Sequence, residues 1–323
     1  MRNKEYKEIM KLVEEGNSEA IFELALRNYY GDRMEKNYDE AFKLFEEAAK
    51  KENIDSKYMV ALCYYNGLGI EQNYEKALEI FNNLIKENDN ENSKYMLGYS
   101  LYHGLGIQKN HIKAFEIFKE LSDKGDMDAR YYVGEMKYLG LGTNLDYKEA
   151  FEIFNSIFDE YREAKEKLAF MYYDGNYVKK DYKKAFDYFS ELANDGNDIY
   201  GTDNYMLAIM YYNGYGAKKD LEKSFEHMLK AAEREDDEAQ FWTGYKYIQG
   251  EGTKQNDEEA EKWLIKAVKK NNAMAQWLLG VLYCEGKKNG VNVKENIEYG
   301  KELIKKSAEQ GYEKAINELK YMT

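Results

Sequence analysis

The sequence predicts an all-α fold, a single stack of repeated helix pairs. Three observations carry this reading. A glycine recurs at Gly31, Gly67, Gly104, Gly140, Gly175, Gly214, Gly250 and Gly286, with gaps of 36, 37, 36, 35, 39, 36 and 36 residues. A period that steady over nearly the whole chain is the signature of a stacked repeat array. Six residues before each glycine stands Ala or Gly: Ala25, Ala61, Gly98, Gly134, Ala169, Ala208, Gly244 and Gly280. The apolar residues between these markers follow helical spacing, and no proline interrupts them anywhere in 323 residues.

Each unit begins with a helix that ends at its marker glycine. Glycine inside a helix costs about 1 kcal/mol relative to alanine. A small residue kept six before the marker therefore implies close approach of two helices. The residue before it is apolar in seven units of eight, as Leu24, Val60, Leu97, Val133, Leu168, Leu207 and Leu279, with Thr243 the exception. These are core positions. Acidic residues open five of these helices, at Glu19, Asp55, Asp128, Glu163 and Glu238, where they complement the helix dipole.

A turn follows, usually Gly-x-Gly: Gly67-Leu68-Gly69, Gly104-Leu105-Gly106, Gly140-Leu141-Gly142, Gly214-Tyr215-Gly216 and Gly250-Glu251-Gly252. The first glycine suits a helix C-terminus with a positive backbone angle. The turn recurs with no strand before it, so a phosphate-cradling loop is disfavoured.

The second helix starts at an Asn or Asp cap: Asn37, Asn73, Asn110, Asp146, Asp181, Asp220 and Asn256. Four residues on lies a small residue (Ala41, Ala77, Ala114, Ala150, Ala185, Ser224, Ala260). Four further lies a large one (Phe45, Phe81, Phe118, Phe154, Phe189, Met228, Leu264). The eighth unit departs. It carries an extra residue near Lys288-Asn289-Gly290, and the same register puts Val293 at the cap and Ile297 at the small site.

The pattern Ala-x-x-x-Leu-Gly-x-x-Tyr-x-x-Gly-x-Gly followed by Asp-x-x-Lys-Ala resembles the Sel-one-like repeat (SLR), a relative of the tetratricopeptide repeat. Eight copies span residues 17–312. Residues 1–16 and 313–323 read as N-terminal and C-terminal helical caps. The resemblance implies a right-handed superhelical solenoid of antiparallel helix pairs, TPR-like, with a concave face lined by the first helices. It also implies scaffold or adaptor roles in protein complexes. Some secreted members carry one disulfide per repeat, and this chain lacks those cysteines.

Composition narrows the partners. The formal charge is −13, from 47 Lys and Arg against 60 Asp and Glu. A duplex-binding surface needs basic character, so nucleic acid is disfavoured and a partner with basic residues is favoured. Cys63 and Cys284 stand 221 residues apart, which makes no disulfide framework and suits a reducing compartment. The first residues are charged at nearly every third position, and no run of ~20 apolar residues appears, so neither a secretory signal nor membrane insertion is expected. The expected location is cytoplasmic.

Chemistry is not conspicuous. His103, His111 and His227 share no metal-ligand spacing, and no nucleophile elbow or phosphate loop is present. No catalytic residue, metal or cofactor is expected. The informative feature is aromatic: 32 of 323 residues are tyrosine. Positions nine, five and two before the marker share one helical stripe. On it lie Tyr58 and Tyr65; Tyr95, Tyr99 and Tyr102; Tyr131 and Tyr138; Phe170 and Tyr173; Tyr205 and Tyr212; Phe241 and Tyr245; and Trp277. Except for Phe170, these residues, with His103 at a groove edge, are the candidate binding surface. Tyrosine offers a large contact area at low rotamer cost and a hydroxyl for backbone groups. The leading expectation is a non-enzymatic adaptor that binds a peptide or protein segment on its tyrosine-rich face. The alternatives are that the rings only pack between helices, or that they hold a small molecule in a sensor or enzyme regulator.

Overall fold

A computed structural model describes residues 2–32, 35–288, 291–292 and 294–321. They form eighteen α-helices and one two-residue antiparallel ladder. The chain groups into two compact units, residues 1–153 and 154–323.

The first unit holds α1 (Arg2–Glu14), α2 (Ser18–Tyr30), α3 (Tyr38–Lys50), α4 (Ile54–Asn66), α5 (Tyr74–Asn88), α6 (Glu91–His103), α7 (His111–Asp123), α8 (Met127–Leu139) and the start of α9 (Tyr147–Ile157). Helices α1 to α8 pack in sequence order. The small sites sit where the sequence requires them. Ala25, Ala41, Ala61, Ala77 and Ala114 are all fully buried. A Cβ on Gly98 would lie 3.1 Å from the Phe118 ring, tighter than a methyl group tolerates without movement. Phe45, Phe81 and Phe118 fill the layer between the helices and are wholly inaccessible.

The second unit holds the end of α9, α10 (Arg162–Asp174), α11 (Tyr182–Asn194), α12 (Thr202–Asn213), α13 (Leu221–Glu233), α14 (Asp237–Gln249), α15 (Asp257–Lys269) and α16 (Ala273–Glu285). After these come β1 (Lys287–Lys288), β2 (Val291–Asn292), α17 (Ile297–Glu309) and α18 (Glu313–Tyr321). Helices α10 to α18 again pack in sequence order.

Second helices are capped as expected. Asn37, Asn73, Asn110, Asp146, Asp181, Asp220 and Asn256 each accept from the backbone N–H three residues on, at 2.9–3.1 Å. First helices have their own caps fourteen residues before the marker, at Asn17, Asn53, Asn90, Asp126, Asp236 and Asn272. These also tie repeats together, since the Asn53 amide donates to Glu19 at 2.9 Å. Glu19 thus has a structural task besides its place at the dipole.

The two glycines of the turn do different work. The first ends the helix in the left-handed region, as at Gly67 with φ 70°. The second meets the preceding repeat: a Cβ on Gly252 would fall 1.9 Å from the Leu221 carbonyl oxygen, and one on Gly69 would fall 2.1 Å from that of Tyr38. At Gly69 and Gly252 a side chain would collide with the repeat before, whereas in the fifth repeat Tyr177 takes the same place with φ 65°.

The register read for the eighth repeat is corrected. The α17 cap is Asn296, whose side chain accepts from Tyr299 N at 3.3 Å. Gly300 takes the small site and Ile304 the large one, both buried. Ile297, expected at the small site, is 45% exposed in the first turn. The insertion is thus three residues longer than the sequence register allowed, and after it the cap–small–large spacing resumes. Val293, Asn289 and Gly290 lie outside the described residues.

The 39-residue gap also has a local cause. It adds residues before α12, and Gly201 cannot cap that helix with a side chain. Asp198 does so instead, accepting from Asp203 N at 3.3 Å and Asn204 N at 3.1 Å. Beside it, Asp203 occupies a position that is Ala or Ser in the other seven repeats. Its carboxylate is fully buried and pairs with the Arg162 guanidinium. Arg162 also reaches Asp195 at 3.0 Å.

Candidate functional site

In the first unit the predicted tyrosines of α6 are brought together by a residue outside the stripe. Tyr132, on α8, lies 6.2 Å from Tyr95, 5.9 Å from Tyr99 and 5.4 Å from Tyr102, measured between ring centroids. It stacks on Phe118 at 4.6 Å and 12°, which anchors the cluster to the core. His103 is exposed at the rim, 4.3 Å from the Tyr99 ring and 4.8 Å from that of Tyr102. Partial desolvation of its ring beside Tyr99 and Tyr102 lowers its pKa below the usual imidazole value despite the nearby Glu135. Glu135 accepts from the hydroxyls of Tyr102 at 3.2 Å and Tyr131 at 3.3 Å, so it bridges two repeats. Burial, then Glu135, raises the Tyr102 pKa, and burial raises that of Tyr132. Both phenols stay neutral and are hydrogen-bond donors at physiological pH.

The remaining predicted residues of this unit are more deeply engaged. Tyr58 rests on Phe81 at 5.7 Å, and burial pushes its phenol up to about 12. Tyr65 is buried, with its ring 4.9 Å from Tyr74. Tyr131 is also buried, and Tyr138 sits 5.2 Å from Tyr147. The edge-to-face pairing at Tyr65–Tyr74 and Tyr138–Tyr147 recurs at Tyr29–Tyr38 and, in the second unit, at Tyr173–Tyr182. In each case the ring two before the marker meets the first ring of its own second helix. Pairs of this kind contribute about 0.5–1.5 kcal/mol beyond the area they bury.

In the second unit the aromatic residues border a cavity of about 690 Å3 between α12, α13 and α14. Tyr205, Tyr212 and Tyr245 line it as the stripe predicts, and Trp242, Lys246, Ser224, Leu221, Met228 and Glu251 complete the wall. Tyr205 donates to Glu238 at 3.0 Å and receives the Trp242 indole N–H; burial, then Glu238, holds its phenol well above the usual range. The Lys246 ammonium is buried, lies 3.0 Å from Glu251 and sits 4.6 Å above the Tyr212 ring. Phe241 is buried in the core behind this wall. Trp277 does not join the cavity; it packs 5.8 Å from Tyr312 near the C-terminal helix.

Eight helix pairs of similar spacing, each with a capped second helix and a glycine after its first, constitute the frame for these side chains. The family model for the Sel1 repeat matches residues 18–53, 54–88, 92–126, 128–156, 162–197, 204–236, 237–272 and 273–312. The chain belongs to the Sel1 repeat family. No curated protein matches the sequence. Among solved structures, the chain is similar to a protective antigen present in uropathogenic Escherichia coli strains that displays an SLR fold. That likeness has a TM-score of 0.70 at 25% identity, over 96% of this chain and 65% of the other. It is similar in fold to a Sel1 repeat protein from Oxalobacter formigenes, with a TM-score of 0.66 at 22% identity, covering 98% and 90% of the two chains. Yeast Tom70 shares the helical-repeat fold at a TM-score of 0.51 and 17% identity, over 93% of this chain and 63% of that one. The Sel1 repeat is generally a protein–protein interaction scaffold and typically not a catalytic fold.

Within the Sel1 frame, the residues that the stripe missed share a position. Tyr132 and Trp242 both stand eight before the marker, where the other six repeats carry Glu23, Met59, Met96, Lys167, Met206 and Leu278. An aromatic ring at that position in two Sel1 repeats of eight is a readable departure. Among the described residues, no group of three or more His, Cys, Asp or Glu could hold a metal, and no helix is long and apolar enough to cross a membrane.

Proposed function

We propose that this Sel1 repeat chain is a non-catalytic adaptor that holds a peptide or protein segment against the tyrosine-rich surfaces of its first helices. The carrying observation is the cluster of Tyr95, Tyr99, Tyr102 and Tyr132 with exposed His103 at its rim. Its rings are fixed by mutual packing, so a ligand loses little rotamer entropy on their side of the contact. The net charge of −13 favours a segment that carries Lys or Arg. A reducing, cytoplasmic setting suits Cys63, a buried free thiol that burial pushes up to about 12. The cavity of the second unit favours a second reading, a sensor that holds a small molecule among its aromatic rings.

The test pairs Tyr99→Ala with His103→Ala in the full chain. Both lie at the accessible side of the cluster, so the melting temperature should fall only modestly. Capture of the native partner should weaken at least about tenfold, which corresponds to ~1.4 kcal/mol. Capture equal to that of the unchanged chain would remove this surface from the interaction.

A further inference from the structure

The cavity of the second unit is made by three coordinated departures in one repeat. In the first five repeats the second helix opens with a ring, then a small residue, then phenylalanine: Tyr38-Ala41-Phe45, Tyr74-Ala77-Phe81, Tyr147-Ala150-Phe154 and Tyr182-Ala185-Phe189, with His111-Ala114-Phe118 a close variant; the seventh (Asp257-Ala260-Leu264) and eighth (Ile297-Gly300-Ile304) keep only the small residue. The sixth repeat has Leu221, Ser224 and Met228 at these places. All three line the cavity. The ring that would pack against Tyr212 is missing, and so is the phenylalanine beneath it. The alanine methyl gains a hydroxyl, as Ser224. Space of about 690 Å3 remains, within the range of sites that enclose a small ligand.

A second observation points to a ligand. Ser224 is fully buried, and its Oγ has no hydrogen-bond partner. A buried hydroxyl left unsatisfied costs about 1–3 kcal/mol. Alanine fills this position in the six other repeats that share the Asn or Asp cap, apart from the final repeat, which has Gly300. The serine therefore adds an unmet polar group to a wall whose charged side chains, Lys246 and Glu251, pair with each other.

The charges select the occupant. The Lys246 and Lys219 ammonium groups lie 4.6 and 5.0 Å from the Tyr212 ring, which disfavours a third cation there. Glu251 is engaged by Lys246, and Glu238 by Tyr205. Leu221, Met228, Trp242 and Tyr245 would leave an anion poorly solvated. A neutral planar group with one polar atom fits all of these constraints.

We propose that this cavity receives one neutral aromatic side chain, an indole or a phenol, from the polypeptide held by the scaffold, with its polar atom bonded to Ser224 Oγ. This rests on the reading of the chain as a peptide-binding adaptor, and it adds a subsite built by the sixth and seventh repeats.

The test is calorimetric titration of the full chain with blocked pentapeptides Ac-Gly-Gly-X-Gly-Gly-amide, where X is Trp, Tyr or Lys, and with free indole. The Trp or Tyr peptide should bind at least tenfold more tightly than the Lys peptide and more tightly than free indole. Ser224→Ala should weaken it about threefold to tenfold. The double change Leu221→Tyr with Met228→Phe supplies the Tyr and Phe of the first, second, fourth and fifth repeats. It should abolish binding while the helical circular dichroism and the melting temperature are retained. Four results would overturn the proposal: no uptake of the aromatic peptides by the unchanged chain, equal uptake of the Lys peptide, undiminished binding by the filled variant, or tighter binding of free indole, which would mark a small-molecule site. The capture assay on Tyr99 and His103 involves no cavity residue, so failure here and failure of the adaptor reading are separate outcomes.

Discussion

Asp203 shows how one side chain can set the pH response of its unit. It is a carboxylate in an Ala or Ser position, fully buried, with Oδ1 lacking a partner and Oδ2 held by Arg162. Burial raises its pKa to about 7, against the pull of Arg162. Burial also raises neighbouring Glu166, and it lowers His227 to about 4. A raised acid means that the folded state binds the extra proton. Its stabilising effect is present at low pH and is lost as pH rises from about 4 to 7. His227 acts oppositely, since the unfolded state binds its proton first and stability rises between about pH 4 and 6.5. Asp203→Asn removes the falling contribution. Relative to the variant, the unchanged chain should lose stability on the order of 2–4 kcal/mol between pH 4 and 7 and change little above 7. Urea titrations of both proteins across this range check it; a difference that is constant with pH contradicts it. Glycine gives a second prediction at this scale. Gly250→Ala meets only the left-handed penalty, ~1–2 kcal/mol, because its Cβ would lie 3.4 Å from the nearest atom. Gly252→Ala adds a clash with the Leu221 carbonyl and should cost at least about twice as much, read as a larger fall in melting temperature. Equal effects would mean that the second glycine serves only its own turn.

At the scale of the element, the helix pair was legible wherever its spacing was uninterrupted. Asn37, Ala41 and Phe45 announce a cap, a close contact and a core ring, and each does that work. The reading failed where insertions moved the register. Residue type did carry the signal, since Asn296, Gly300 and Ile304 repeat the cap–small–large pattern that Val293 and Ile297 break, and packing against Gly280 favours Gly300. Contacts between repeats were invisible for a similar reason. A stripe drawn along one helix cannot show that Tyr132 of the next helix completes the cluster on α6, or that the second glycine of a turn touches the repeat before it. The last pair supplies a further test. Leu278, Leu279, Val281 and Leu282 of α16 are buried, and Val281 shares its cluster with Ile304 of α17. A chain ending at Gly286 leaves this face uncovered, whereas one ending at Asn272 stops after a complete pair. The shorter chain should remain soluble and cooperative in thermal melts, and the longer should melt lower or self-associate. A longer chain with the higher melting temperature would show that α16 does not depend on α17.

The whole molecule presents eight similar frames on which a few departures stand out. The regular positions hold the stack together, so most of the tyrosines that mark the sequence are explained at least in part by packing. Tyr65, Tyr138 and Tyr173 have edge-to-face partners within their own repeats. The functional reading rests on the irregular positions: His103, exposed beside Tyr99, and the residues that open the cavity of the sixth repeat. Site-specific photocrosslinking in cells separates the two kinds of surface. A photoreactive phenylalanine analogue at His103, on a first helix, is compared with one at Glu116, an exposed position on the second helix α7. The account predicts a discrete crosslinked polypeptide from position 103 and none from 116. Crosslinking from 116 alone would place the partner on the second helices and contradict it.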